Sequence, residues 1–310
     1  MSLRHLSLLS LSTLFFAACS SNSDLPPMAG TSASSQADAE ALFQKAKQLD
    51  DSGKSAKAVD LYDKAAKRFP SGDIAAKARF RQGQILEQQK NLVKAFDAYQ
   101  ELVVRNQVSN LYSAALARQA AVAQAAADGE IKTSFLGLKS SLPEEKVAGM
   151  LGKVRDNAPK SPTASRAQYT LGNFYNSRGK AKEAITAFQK VVNDYPGSSE
   201  APESQFRIGM ILTQEADRGN QNQANVNQAR EAFQDYLNQY PNHSRAGEAR
   251  KMLGNLGGRD VQRSFDIAEF YRKSGQAESA KVYYREVVRR SNPGPLQNSA
   301  KAHLAELGEH

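Results

Sequence analysis

Apolar residues recur along this chain at the spacing of one helix face, as in Ala184, Phe188, Val191 and Val192. No segment shows the apolar–polar alternation of a strand, so the pattern predicts an all-α fold. Prolines punctuate it. Phe69-Pro70, Tyr195-Pro196 and Tyr240-Pro241 each close a helical stretch, because proline lacks the amide hydrogen and collides with the preceding turn. Small residues (Gly83, Gly172, Gly209, Ala58, Ala184, Ala229) recur where two helices must approach closely. Aromatic residues (Tyr62, Tyr99, Phe188, Phe233, Tyr284) recur beside them. These are expected to fill the gap towards the next helix pair, as core and not as binding groups.

Residues 165–196 carry the clearest spacing: Leu171-Gly172, Tyr175, Gly179, Ala184, Phe188 and Pro196. This stretch resembles the tetratricopeptide repeat, a helix pair that cannot bury its apolar face without stacked neighbours. Weaker copies contain Ala58, Tyr62, Ala65 and Pro70; Gly83, Leu86, Ala95 and Tyr99; Ile208-Gly209, Leu212, Ala229, Phe233 and Pro241; and Ile267-Ala268, Tyr271, Gly275, Ala280 and Tyr284. In the copy holding Gly209, about eight extra residues separate the helices around Gly219–Asn227. A sixth unit would pair helices at about 111–127 and 144–157, with Glu144-Glu145 at the start of the second. Its linker, Gly129–Pro143, is too long and too apolar for an ordinary turn. The expectation is a tetratricopeptide-repeat solenoid of five to six helix pairs over residues 37–295, with a C-terminal helix and tail over 296–310.

The N-terminus follows a different logic. Arg4 and His5 precede the apolar run Leu6–Ala18, which has the length of a signal-peptide core and is too short to span a bilayer. It ends in Phe16-Ala17-Ala18-Cys19, and Cys19 is the single cysteine. This resembles a bacterial lipoprotein signal (residues 1–18), in which the cysteine becomes the acylated first residue; Phe16 replaces the usual aliphatic residue. A lone cysteine excludes an internal disulfide. Ser20 and Ser21, in place of aspartate, match the pattern that sends lipoproteins to the outer membrane. Residues 19–36, with Pro26-Pro27, read as a disordered tether whose reach is on the order of 20–25 Å. The acyl chains would hold the protein on the membrane while the solenoid faces the periplasm.

Composition narrows the function. The mean hydropathy of −0.57 and the absence of tryptophan fit a polar solenoid with a modest core. The net charge is +9, but the basic residues (Lys45, Lys47, Lys54, Lys57; Arg285, Arg289, Arg290) are scattered over helix faces, which reads as solvation. Export argues against a nucleic-acid partner. The four histidines, His5, His243, His303 and His310, form no metal-binding spacing, and neither a phosphate loop nor a nucleophile elbow is present. No catalysis, cofactor or metal is expected.

The lipoprotein signal, short tether and helical repeats together resemble the BamD family, lipoprotein subunits of the outer-membrane β-barrel assembly machine. The resemblance is strongest at Ala229–Pro241, where Ala-Arg-Glu-Ala-Phe leads to a Tyr-Pro stop, and at Arg259–Tyr271. Arg263-Ser264 stands where that family usually has His-Glu. The resemblance implies a scaffold that binds unfolded β-barrel precursors and couples to the barrel-forming subunit. It assigns a client face to Lys47 and Phe43 on one helix and to Lys77, Phe80 and Arg81 on another. It assigns a partner contact to Arg259 and Arg263, with Gly257-Gly258 read as a loop that opens the helix carrying them. A general tetratricopeptide lipoprotein that recruits peptidoglycan hydrolases or proteases is the alternative.

Overall fold

The computed structural model describes residues 33–135, 138–218 and 223–309. Cys19, the signal and most of the expected tether lie outside them. Thirteen helices run through the described residues, joined in pairs by short turns. The fold is an all-α tetratricopeptide-repeat fold, and the described residues divide into two compact units with the boundary between Ala78 and Arg79.

The first unit pairs α1 (Ala33–Asp51) with α2 (Ser55–Arg68). α1 starts four residues before the end assigned to the tether, since Ala33–Gln36 contains no residue that opposes a helix. Ala46, Ala58 and Ala65 are fully buried between the pair. The turn needs Gly53, whose φ of +75° is disfavoured for any side chain. α3 (Asp73–Gln88) begins in this unit, and the boundary falls within it, between Ala78 and Arg79.

The second unit continues with α4 (Leu92–Arg105) and α5 (Tyr112–Ala127). The linker to α6 (Glu144–Asn157) is a correction to the strand-free reading: it holds an antiparallel hairpin of β1 (Lys132–Phe135) and β2 (Leu138–Ser141). The register pairs Lys132 with Ser141 and Phe135 with Leu138. Ile131 and Leu142, at its two feet, are buried in a core with Val147, Met150, Leu151 and Phe174. That burial explains why so long a linker is apolar. A ring of amides ties the same pair together: Asn157 Nδ2 donates to Gln100 Oε1 at 3.0 Å and to Gln119 Oε1 at 2.9 Å. Gln119 has no exposed surface, so its amide would be costly to bury without these partners.

Helices α7 (Pro162–Ser177), α8 (Ala181–Asp194), α9 (Glu200–Arg218) and α10 (Gln223–Gln239) follow. The extra residues expected between the last two mostly lengthen the helices themselves, which have 19 and 17 residues. α8 and α10 stop just before Tyr195-Pro196 and Tyr240-Pro241, and α2 just before Phe69-Pro70, as the proline pattern predicts. α11 (Ala246–Lys273), α12 (Ala277–Arg290) and α13 (Pro295–Glu306) close the chain.

α11 overturns the predicted loop at Gly257-Gly258: it is one helix of 28 residues running straight through both glycines. Each glycine costs about 1 kcal/mol in a helix interior relative to alanine. The cost is outweighed because both flanks are anchored. Ala246, Ala249 and Leu256 are buried in the core built around Phe206 and Phe233, while Val261 and Ala268 are buried in the core of Tyr284, Val287 and Leu304. No proline interrupts Ala246–Lys273. Within this second unit each helix from α4 onwards packs on the next, and α5, α7 and α9 also touch in sequence.

Candidate protein-interaction surfaces

One packing unit recurs through the chain. The first helix of a pair carries an aromatic residue followed three positions later by a small one; the second carries alanine followed four positions later by an aromatic. The pairs are Phe43–Tyr62, Phe80–Tyr99, Tyr169–Phe188, Phe206–Phe233 and Phe265–Tyr284, with ring centroids 5.5–5.8 Å apart. A Cβ built on Gly83, Gly172 or Gly209 would lie 2.5, 2.6 or 2.8 Å from the ring of Tyr99, Phe188 or Phe233. The second-helix aromatic therefore seats on the glycine of its own pair. Phe188 also lies in the core that holds Phe206 and Phe233 of the following pair, as expected of a ring that fills the gap between pairs. The glycine is small because the ring needs the space. Gln168 and Gln205, four residues before Gly172 and Gly209, donate to the carbonyls of Ala187 and Ala232 at 3.0 Å each, fixing the same register twice.

The expected client residues divide between this frame and the surface. Phe43 and Phe80 are members of the ring pairs, half-buried, and so belong to the frame. Lys47 is exposed on α1. Lys77 lies on α3 with its Nζ 2.5 Å from Asp73, whose carboxylate raises the ammonium pKa, first by hydrogen bonding and then by charge. Arg81 follows one turn later on α3 and donates to Gln84 at 3.2 Å. The two cations are thus on one helix, and Lys77 is already engaged.

Arg259 and Arg263 stand in the middle of α11, not at a helix start. Arg259 pairs with Asp217 of α9 at 2.5 Å, and Arg263 Nη1 donates to Gln223 of α10 at 2.6 Å. Between them Asp260, 10% exposed, accepts from Arg230 and lies 3.4 Å from Arg290. These side chains lock α11 to the preceding helix pair. The charge of Arg259 is far from either end of α11, so the helix dipole neither favours nor opposes it.

Further along α11, Glu269 receives a two-pronged bond from Arg272 (2.9 and 3.1 Å) and the hydroxyl of Tyr284, with His303 Nε2 3.3 Å away. The Arg272 hydrogen bond leads in holding this carboxyl down at about 2, with Tyr284 and the nearby charges adding to it against burial. Burial, then the same carboxylate, pushes the Tyr284 phenol up to about 12. His303 brings α13 onto this cluster, its ring packed 5.3 Å from that of Tyr284.

Beside this cluster lies an apolar surface absent from the sequence reading. Phe270 is 64% exposed, and Tyr271 stacks on Tyr283 of α12 with centroids 5.7 Å apart and planes 18° from parallel. With Arg263, Asp266 and Ile267 they line an open groove of about 450 Å³. The signal was available: Ile267, Phe270 and Tyr271 form a second i, i+3, i+4 stripe beside Phe265 and Ala268. Among the described residues there is no cluster of His, Cys, Asp and Glu suited to a metal ion, and no helix is long and apolar enough to cross a membrane.

Comparison with known proteins agrees with this architecture. The family model YfiO, described as an outer membrane lipoprotein, matches residues 145–304, and a tetratricopeptide-repeat model matches residues 43–110. No curated protein matches the chain. Among solved structures, a tetratricopeptide-repeat protein from Parabacteroides merdae is 16% identical over 87% of this chain and 99% of its own, with a TM-score of 0.32. The tetratricopeptide domain of P58(IPK) is 15% identical over 87% and 78%, at 0.36. PilF of Pseudomonas aeruginosa is 13% identical over 86% and 98%, at 0.31. At such identities and TM-scores the likeness assigns no role to this chain.

Proposed function

Residues 145–304 make up about half of the chain, and the protein belongs to the YfiO family of outer membrane lipoproteins; on that premise we propose that it is an assembly scaffold, lipid-anchored through Cys19 on the periplasmic side of the outer membrane. It binds unfolded β-barrel precursors and couples them to a barrel-forming partner. The observation that carries this reading is the family match over α6–α13, the segment that holds the locked α11 and the exposed aromatic surface at Phe270. Such a surface, apolar at the centre with Arg263 and Asp266 beside it, has the make-up of a protein contact. Arg259 and Arg263 act there by holding α11 in place for the partner.

Clients are received through α3. A C-terminal carboxylate can take over Lys77 from Asp73 by charge-assisted hydrogen bonds, and Arg81 is a separate candidate on the other side of the unit boundary. Because Phe43 and Phe80 are committed to ring pairs, their role is to hold α1 and α3 in place. Reception through Lys77 requires the client to displace the existing Asp73 ion pair, and added salt weakens the carboxylate's attraction to this exposed cation.

A second reading has its own observation. Residues 43–110 match a generic repeat and not the lipoprotein family, so the N-terminal repeats can serve a different cargo, such as a peptidoglycan hydrolase or protease. Affinity purification from detergent-solubilised envelope separates the two. Recovery of a large β-barrel protein with periplasmic modules supports the assembly scaffold; recovery of soluble envelope enzymes without it supports the alternative.

A further inference from the structure

The first unit carries a charged surface to which the assembly reading gives no task. α1 and α2 border an open groove of about 670 Å³, lined by Asp38, Leu42, Lys45, Lys64, Lys67 and Arg68 among others. Two of its cations are internally satisfied: Arg68 Nε donates to Asp38 at 3.0 Å, and Lys67 Nζ lies 2.8 Å from Asp63. Lys45 and Lys64 are exposed and form no ion pair among the described residues. The groove thus combines surplus positive charge with an apolar strip at Ala41 and Leu42. Lys67 and Arg68 also lie in the last turn of α2, where cations are favoured by the helix dipole.

We propose that this face docks on the anionic phospholipid headgroups of the membrane that holds the Cys19 anchor. The proposal rests on the lipoprotein reading, and two features favour that occupant. Ala33 is only 14 residues beyond Cys19, so even a fully extended connection spans no more than about 50 Å. α1 is therefore the helix kept nearest the bilayer, and a weak patch is saturated when its target is tethered beside it. Headgroup phosphates also match the site chemically: they accept from Lys45 and Lys64 while the glycerol and first methylenes cover Leu42. Each lysine near an anionic surface strengthens partitioning about fivefold, an effect that falls off within a Debye length. Docking here sets the orientation of the first helix pair against the membrane without altering the C-terminal repeats.

The test uses the mature chain (residues 19–310) carrying Cys19→Ser, so that no acyl chain contributes to binding. Flotation is measured with vesicles of phosphatidylglycerol and phosphatidylethanolamine, and with phosphatidylcholine alone. The expected result is partitioning onto the anionic vesicles only, suppressed by salt, and about 25-fold weaker in Lys45→Gln/Lys64→Gln. Unchanged helicity by circular dichroism shows that the variant is folded. Equal partitioning of parent and variant, or equal binding to the zwitterionic vesicles, overturns the proposal. So does a variant that keeps its vesicle binding and loses affinity for a barrel-derived C-terminal peptide, which makes the groove a peptide site. Mass spectrometry of Cys19 in the full-length protein tests the anchor separately, so failure of the patch and failure of the lipoprotein reading give different results.

Discussion

At the scale of single residues, the chain is held by rings seated on small side chains. Gly209 illustrates the consequence. Its alanine variant would place a Cβ 2.8 Å from the Phe233 ring, which is fully buried and has no room to withdraw. Alanine improves helix propensity by about 1 kcal/mol, but overpacking a filled core costs about 1–3 kcal/mol. The clash prevails, and Gly209→Ala should lower the midpoint of urea unfolding; a raised midpoint would show that the ring yields freely. Glu269 gives a second residue-level prediction. Its carboxyl is held at about 2 in the folded chain against an ordinary value of 4.5. A depressed carboxylate stabilises the fold above the unfolded value and loses that contribution as pH falls through the folded one. Unfolding titrations should therefore show a stability loss between about pH 4.5 and pH 2 that is absent in Glu269→Gln.

At the scale of elements, periodicity and prolines made most helices legible, because Phe69-Pro70, Tyr195-Pro196 and Tyr240-Pro241 end a helix by local sterics alone. The failures came where tertiary burial outweighed local preference. Gly257-Gly258 reads as a loop, yet Leu256 and Val261 anchor the helix on either side. The hairpin at 132–141 was hidden because its strands are only four residues long and its apolar feet, Ile131 and Leu142, look like core helix. Lys77, Arg81 and Arg259 were legible as cations, and Asp73 and Gln84 stand at i−4 and i+3 on the same helix, whereas Asp217, 42 positions from Arg259, follows only from the folded arrangement. The glycines of α11 provide a contrast with Gly209. Nothing lies within 4 Å of a Cβ built on Gly257 or Gly258. Gly257→Ala and Gly258→Ala should each raise stability by about 1 kcal/mol, read as a higher unfolding midpoint. A lower midpoint in either would mean that α11 needs to bend there.

At the scale of the whole molecule, the family match and the N-terminal sequence describe a repeat scaffold held at the outer membrane. The anchor is testable by itself: Cys19→Ser should move the protein from the membrane pellet to the soluble envelope fraction and abolish fatty-acid labelling. Retention in the pellet without label would mean that protein contacts hold it there. The central claim, that the scaffold serves β-barrel assembly, is tested most directly by depleting the protein from its own cells and quantifying folded, heat-modifiable barrel proteins in the outer membrane. The account predicts that they fall together as a class while unfolded precursors accumulate in the periplasm, and that a plasmid copy restores them. Undiminished folded barrels after complete depletion would contradict it.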